Sequence, residues 1–179
     1  MNSSTHLSLL FTILLIFIPH VISQTSTPKL YEVVCKDAGE NDDVQRCLNL
    51  FEDNRQITLA KDYITLCKLF LEMAIDKSTK AQNYLKSLLN KYPLSDAIKE
   101  CATNDYNLLV YSFKGSLGEL VTDPQIANYD AKVAGDGPDT CQRLLDSEKI
   151  DISSSISTLN NEMKFLSFVA YLATNHLPQ

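Results

Sequence analysis

The 179-residue chain has three histidines, and two of them, His6 and His20, fall in the first 20 residues. That leaves only His176, close to the carboxyl end. A Ser-His-Asp or Cys-His nucleophile needs an imidazole placed by the fold, and a residue so near a terminus is expected to fray. Glycine is scarce, at 5 residues, and forms no phosphate-cradling loop pattern. Positive charge is in deficit: 16 Lys+Arg against 22 Asp+Glu leave −6. That balance argues against nucleic acid as a partner, because phosphate binding needs a cationic surface. No two cysteines are spaced Cys-x-x-Cys, and one histidine cannot complete a zinc site with them. The Asp37–Asp43 turn lacks the ligand order of a calcium loop. Neither metal nor cofactor is expected. Acidic pairs exist, Asp42-Asp43 and Glu148 with Asp151, but they fall in turns and helix ends, where solvated carboxylates are ordinary. These shortages point away from an enzyme and toward a scaffold that acts through its surface.

At 45% hydrophobic, the chain is rich enough for one domain with a proper core. Leu7 to Ile18 is an apolar run broken only by Ser8 and Thr12, which suits a signal-peptide core and is too short for a convincing transmembrane helix. Val21 and Ser23 occupy the −3 and −1 places of a small-residue cleavage site, so residues 1–23 read as a signal peptide and 24–179 as a secreted domain, starting near Gln24. Asn2-Ser3-Ser4 is a glycosylation sequon inside the segment to be removed, and no other follows. No membrane association is expected after cleavage. The mature chain keeps Cys35, Cys47, Cys67, Cys101 and Cys141. In an oxidising compartment, an odd count means two bridges and a leftover thiol, or an intermolecular bond, and spacing alone does not fix the pairing.

Four amphipathic stretches dominate the remainder. Ile57, Ala60, Ile64, Cys67, Leu71, Ala74, Ser78, Ala81, Leu85 and Leu88 recur at steps of three and four until Pro93 ends the run. Cys67 lies inside this stripe, so it reads as a small buried hydrophobe with a free thiol. The second stripe is Ile98, Ala102, Tyr106, Leu109, Phe113, Leu117 and Leu120, flanked by Cys101. Asp123-Pro124 then reads as an N-cap followed by proline at the first helical position. In the third stretch Ile126, Tyr129 and Val133 share a face, and Gly135, Gly137 and Pro138 should kink or break it before Cys141. Ser153 or Ser154 can cap the last helix, with Ile156, Leu159, Met163, Leu166, Ala170, Ala173 and Leu177 on one side. No period-two alternation competes. The expected fold is all-α: an antiparallel up-down four-helix bundle over about 56–177, preceded by a helical hairpin over about 29–53.

These residues resemble the plant invertase and pectin methylesterase inhibitor family. The likeness spans nearly the whole mature chain: the signal segment, the early pair Cys35 and Cys47, the long striped helix, Glu100-Cys101 near the start of the second long helix, and Asp139-Thr140-Cys141 near the end of the third. The resemblance implies the four-helix bundle with its hairpin, and two disulfides, Cys35–Cys47 and Cys101–Cys141, with Cys67 left free. The chain departs from the family pattern in two places. The turn within the early pair is longer than usual, and Tyr106 lies five residues after Cys101, where tyrosine more often stands at four.

By the same resemblance, the protein is a secreted inhibitor in the plant apoplast and cell wall, a monomer that binds a carbohydrate-active enzyme one-to-one and blocks its cleft. The target would be pectin methylesterase, with acid invertase (β-fructofuranosidase) as the alternative and a non-inhibitory signalling or structural bundle as a further one. Invertase inhibitors present a Pro-Lys-Phe tripeptide, whose matching place here is Pro124-Gln125-Ile126, next to Asp123. The cation and the aromatic ring are absent, which tips the expectation toward pectin methylesterase. Inhibitors of that enzyme use a polar face of adjacent helices, for which Asn104, Asn107, Lys114, Gln125, Asn128, Asp130 and Lys132 are candidates.

Overall fold

A computed structural model describes residues 28–149 and 153–178, and among them the regular structure is entirely helical. The proposed signal segment, with its cleavage site, lies outside the described residues. The chain opens with a hairpin of α1 (Leu30–Lys36) and α2 (Asn41–Glu52). Gly39 adopts φ +83° in the turn between them, a left-handed conformation that costs a glycine little. The Cys35–Cys47 disulfide closes the hairpin across a Cα–Cα distance of 5.5 Å.

The short α3 (Arg55–Thr58) follows, then α4 (Tyr63–Leu88). The first stripe, read as running from Ile57, is therefore split. The Asp62 carboxylate accepts the Thr65 N–H at 2.7 Å and starts a new helix there. Ile64 falls on the partly exposed side, and Leu66, Phe70 and Gln82 join the buried face instead.

The second long helix is a continuous rod over 96–119, made of α5 (Asp96–Glu100), a π-helical turn (Cys101–Asp105) and α6 (Tyr106–Glu119). In the π turn the Tyr106 N–H reaches back to the Cys101 carbonyl, five residues away. The turn takes up the extra residue between Cys101 and Tyr106 and leaves Tyr106 fully buried. Glu148 caps the rod from another helix: it accepts the Ala97 N–H and the Ser95 hydroxyl, both at 2.7 Å.

The third helix breaks where its glycines predict, into α7 (Pro124–Val133) and α8 (Asp136–Glu148). Pro138 falls in the first turn of α8, where a missing N–H costs no intrahelical bond. The last helix, α9 (Ser153–Thr174), already includes both serines expected to cap it; what precedes Ser153 lies outside the described residues.

The bundle is the antiparallel four-helix arrangement, with α4, the 96–119 rod, α7 with α8, and α9 as its members. Its core runs through Phe70, Leu85, Leu109, Phe113, Leu145 and Leu166. The second disulfide, Cys101–Cys141, ties the π turn to α8 at a Cα–Cα distance of 4.9 Å, and Cys67 is a buried free thiol. A buried polar link crosses the core beside this bridge. The Tyr106 hydroxyl donates to Asn160 Oδ1 at 2.8 Å, and Asn160 Nδ2 donates to Gln142 Oε1 at 3.1 Å.

The hairpin docks through Phe51, whose ring lies 5.1 Å from that of Phe70, and through Arg46, whose guanidinium stacks 3.8 Å over Phe165. His176, expected to fray, is held. Its Nε2 meets Asp37 Oδ2 at 2.8 Å and its ring stacks on Tyr63 at 4.8 Å, so the carboxyl end clasps the hairpin to α4.

Candidate docking face

The third stripe is the main correction to the sequence reading. Ile126 and Tyr129 share a face, but that face is turned to solvent, at 48% and 64% exposure. The buried side of α7 is Ala127, Ala131 and Ala134, which lets the helix lie close against its neighbours. Val121 in the turn before α7 is 72% exposed and Tyr111 on α6 is 80% exposed; Leu108 is also open. Two adjacent antiparallel helices and the turn joining them thus present five large apolar side chains to water. Large apolar side chains held in water on adjacent elements are candidates for an interaction surface.

The corner between α6 and α7 is locally well built. The Asp123 carboxylate accepts the Ile126 N–H at 3.1 Å, and Pro124 occupies the first helical position, as its sequence context predicts. Thr122 donates to Glu119 at 2.6 Å in the same turn. Gln125 and Ile126 project outward from the rigid helix start. Asp130 folds its carboxylate over Gly115, where an added Cβ would stand 2.3 Å from Oδ2. Burial and the nearby Glu119 push that carboxyl above its ordinary range.

A groove of about 540 Å³ runs between α4 and α6, lined by Thr79, Gln82, Asn107, Leu108, Val110, Tyr111 and Lys114. Asn107 accepts from Gln82 Nε2 at 2.6 Å, an interaction that orients the amide at the groove wall. The fold therefore brings Asn107 and Lys114 to one groove, and Asp123 to Ile126 to the corner between α6 and α7. Asn128 is turned the other way: it donates to the Tyr171 carbonyl at 2.9 Å and to Thr174 Oγ1 at 3.0 Å, pinning α7 to α9. Asn104 is held by Glu100 at 2.7 Å, and the Lys132 ammonium lies 5.7 Å from the centre of the Tyr171 ring. The sequence reading missed Leu108, Tyr111, Val121 and the outward aim of Tyr129. The available signal was the Ala127, Ala131 and Ala134 spacing, itself a core-facing pattern.

Among the described residues, the one grouping of potential metal ligands is Cys101, Asp105 and Cys141. The two sulfurs are bonded to each other, which removes them as thiolate ligands. No described helix is long and apolar enough to cross a membrane.

No family model matches the sequence, and no curated protein is similar to it in sequence. The solved structures do match. A mutant form of a pectin methylesterase inhibitor from Arabidopsis superposes with a TM-score of 0.70 at 19% identity, covering 85% of this chain and 99% of that one. A pectin methylesterase inhibitor from Arabidopsis thaliana gives 0.58 at 20% identity, covering 83% of this chain and 96% of its own. The chain has the fold of a pectin methylesterase inhibitor. At these identities the likeness is one of architecture, built on a largely different set of side chains.

Proposed function

We propose that this chain is a secreted inhibitor of pectin methylesterase, released by cleavage near Gln24 and acting as a monomer in the cell wall. Membership of the invertase and pectin methylesterase inhibitor family follows from the same reading. The observation that carries it is the set of large apolar side chains exposed along α6, α7 and the turn between them, on a fold shared with two such inhibitors. Tyr111, Ile126 and Tyr129 are large, rigid groups that can be desolvated against a partner at little conformational cost. Asn107, Lys114 and Gln125 supply a polar rim around them. The chain obstructs a cleft and carries out no chemistry of its own.

The test is a titration of residual pectin methylesterase activity with the 24–179 protein at acidic pH. Stoichiometric loss of activity is expected, and Tyr111→Ala should weaken it at least tenfold. Unchanged activity at equimolar excess, with the protein folded, would overturn the reading. Acid invertase belongs in a parallel titration, because Pro124 is at the helix start and Ile126 points outward beside it. Loss of invertase activity alone would move the assignment to the second enzyme.

A further inference from the structure

The π turn carries a buried carboxylate that the proposed docking role does not use. Asp105 is its last residue, only 7% exposed, and its Oδ2 is buried without a hydrogen-bond partner among the described residues. A candidate ligand oxygen of Asp105 lies within 4.8 Å of both sulfurs of the Cys101–Cys141 bridge. The backbone on the other side is equally confined. Gly137 of α8 packs so closely that a Cβ there would stand 2.1 Å from the Asp105 carbonyl oxygen. Extra residues inserted as π turns are often found at functional sites.

We propose that Asp105 is a proton switch: neutral, it lets the π turn seat against α8, and on ionisation it loosens that turn and the start of α6. The groups facing it are few. Glu100 on α5 repels its charge, Arg143 on α8 attracts it, and Tyr106 on α6 lies next to it. From α4, the neutral amide of Gln82 reaches the turn, donating to the Ala102 carbonyl at 3.3 Å. Ionisation therefore places a charge in an apolar, disulfide-walled site with one attractive partner and one repulsive one. Burial first, and Glu100 second, push the Asp105 carboxyl up to about 6 from the ordinary 3.8. With the folded-state value raised, the contribution to stability is whole below pH 3.8 and is lost as pH rises through about 6. The first residues to feel the change after Tyr106 are Asn107 and Leu108, on the groove between α4 and α6. The readout is folding alone, so the inference does not depend on the identity of any target.

The experiment is chemical denaturation of the full mature chain between pH 4 and pH 7, with Asp105→Asn as the neutral mimic. Relative to the variant, the wild-type folding constant should fall roughly fiftyfold over that range. Parallel curves for the two proteins would overturn the proposal. Should Asp105→Asn not fold, wild-type hydrogen exchange across 101–108 decides. Protection there should drop through pH 6 beyond the intrinsic rate change, with Arg143→Gln moving the midpoint of loss to higher pH and Glu100→Gln moving it to lower pH. Protection that is independent of pH in this segment sinks the idea.

Discussion

Replacing Gly137 by alanine adds one methyl group where α8 meets the π turn, and the geometry sets the cost. The new Cβ would lie 2.1 Å from the Asp105 carbonyl oxygen and 3.0 Å from its carbon. Contacts between carbon atoms are most favourable at about 3.5–4.0 Å, so the two backbones must separate by roughly 1 Å. They are poorly placed to do so, because Cys101 and Cys141 bridge the same two elements at a Cα–Cα distance of 4.9 Å. Neither contact atom belongs to a side chain that could swing aside. Overpacking of this kind costs about 1–3 kcal/mol, against a gain of at most about 1 kcal/mol from the better helix propensity of alanine. The net expectation is a loss of about 1–2 kcal/mol and a melting temperature lower by roughly 2–8 °C. Gly118 provides the matched control. It is exposed on α6 with nothing within 4 Å of an added Cβ, so the same substitution there should stabilise by about 0.5–1 kcal/mol. Thermal and urea unfolding of the two variants decide the matter. A Gly137→Ala protein as stable as wild type would refute the close contact between α8 and the π turn.

Other expectations are independent of this one. Asn160→Leu strands the buried Tyr106 hydroxyl and should cost about 1–3 kcal/mol, with Tyr106→Phe in the same chain restoring part of it; additive losses in the urea double-mutant cycle would contradict the link. The bridges close sequence separations of 12 and 40, so loop entropy predicts losses of about 3 kcal/mol for Cys35→Ser with Cys47→Ser and about 4 kcal/mol for Cys101→Ser with Cys141→Ser. The reverse ranking in denaturant titrations would count against that account. Burial, with the nearby Asp62 adding to it, pushes the Cys67 thiol up to about 12. A thiol-specific chromogenic reagent at pH 8 should therefore find no reactive group until the protein unfolds, and prompt native labelling would show the site to be open.

Much of the architecture was legible because helical periodicity is a local property. The stripes around Leu71 and Leu166 and the proline cap at Pro124 could be read without knowing their neighbours. Cys67 was separable from the other cysteines for the same reason, since it sits on a core-facing position. Periodicity failed where two faces of one helix competed. In α7 the larger residues, Ile126 and Tyr129, suggest the core, yet Ala127 and Ala131 occupy it. The room left between α6 and α9 admits a methyl group and excludes a ring, and that spacing is set by the other helices.

His176 shows a similar limit. Position near a terminus predicts fraying, but the turn holding Asp37 and the ring of Tyr63 arrive from the hairpin and α4 to hold it. Composition and pattern alone determined an acidic, helical, cysteine-bearing chain with no evident catalytic constellation. Only tertiary packing decided which apolar residues stay in water, that a π turn buries Asp105 against a disulfide, and that Asn128 serves the core. Each of these depends on the distance between elements remote in sequence, a quantity no local pattern carries.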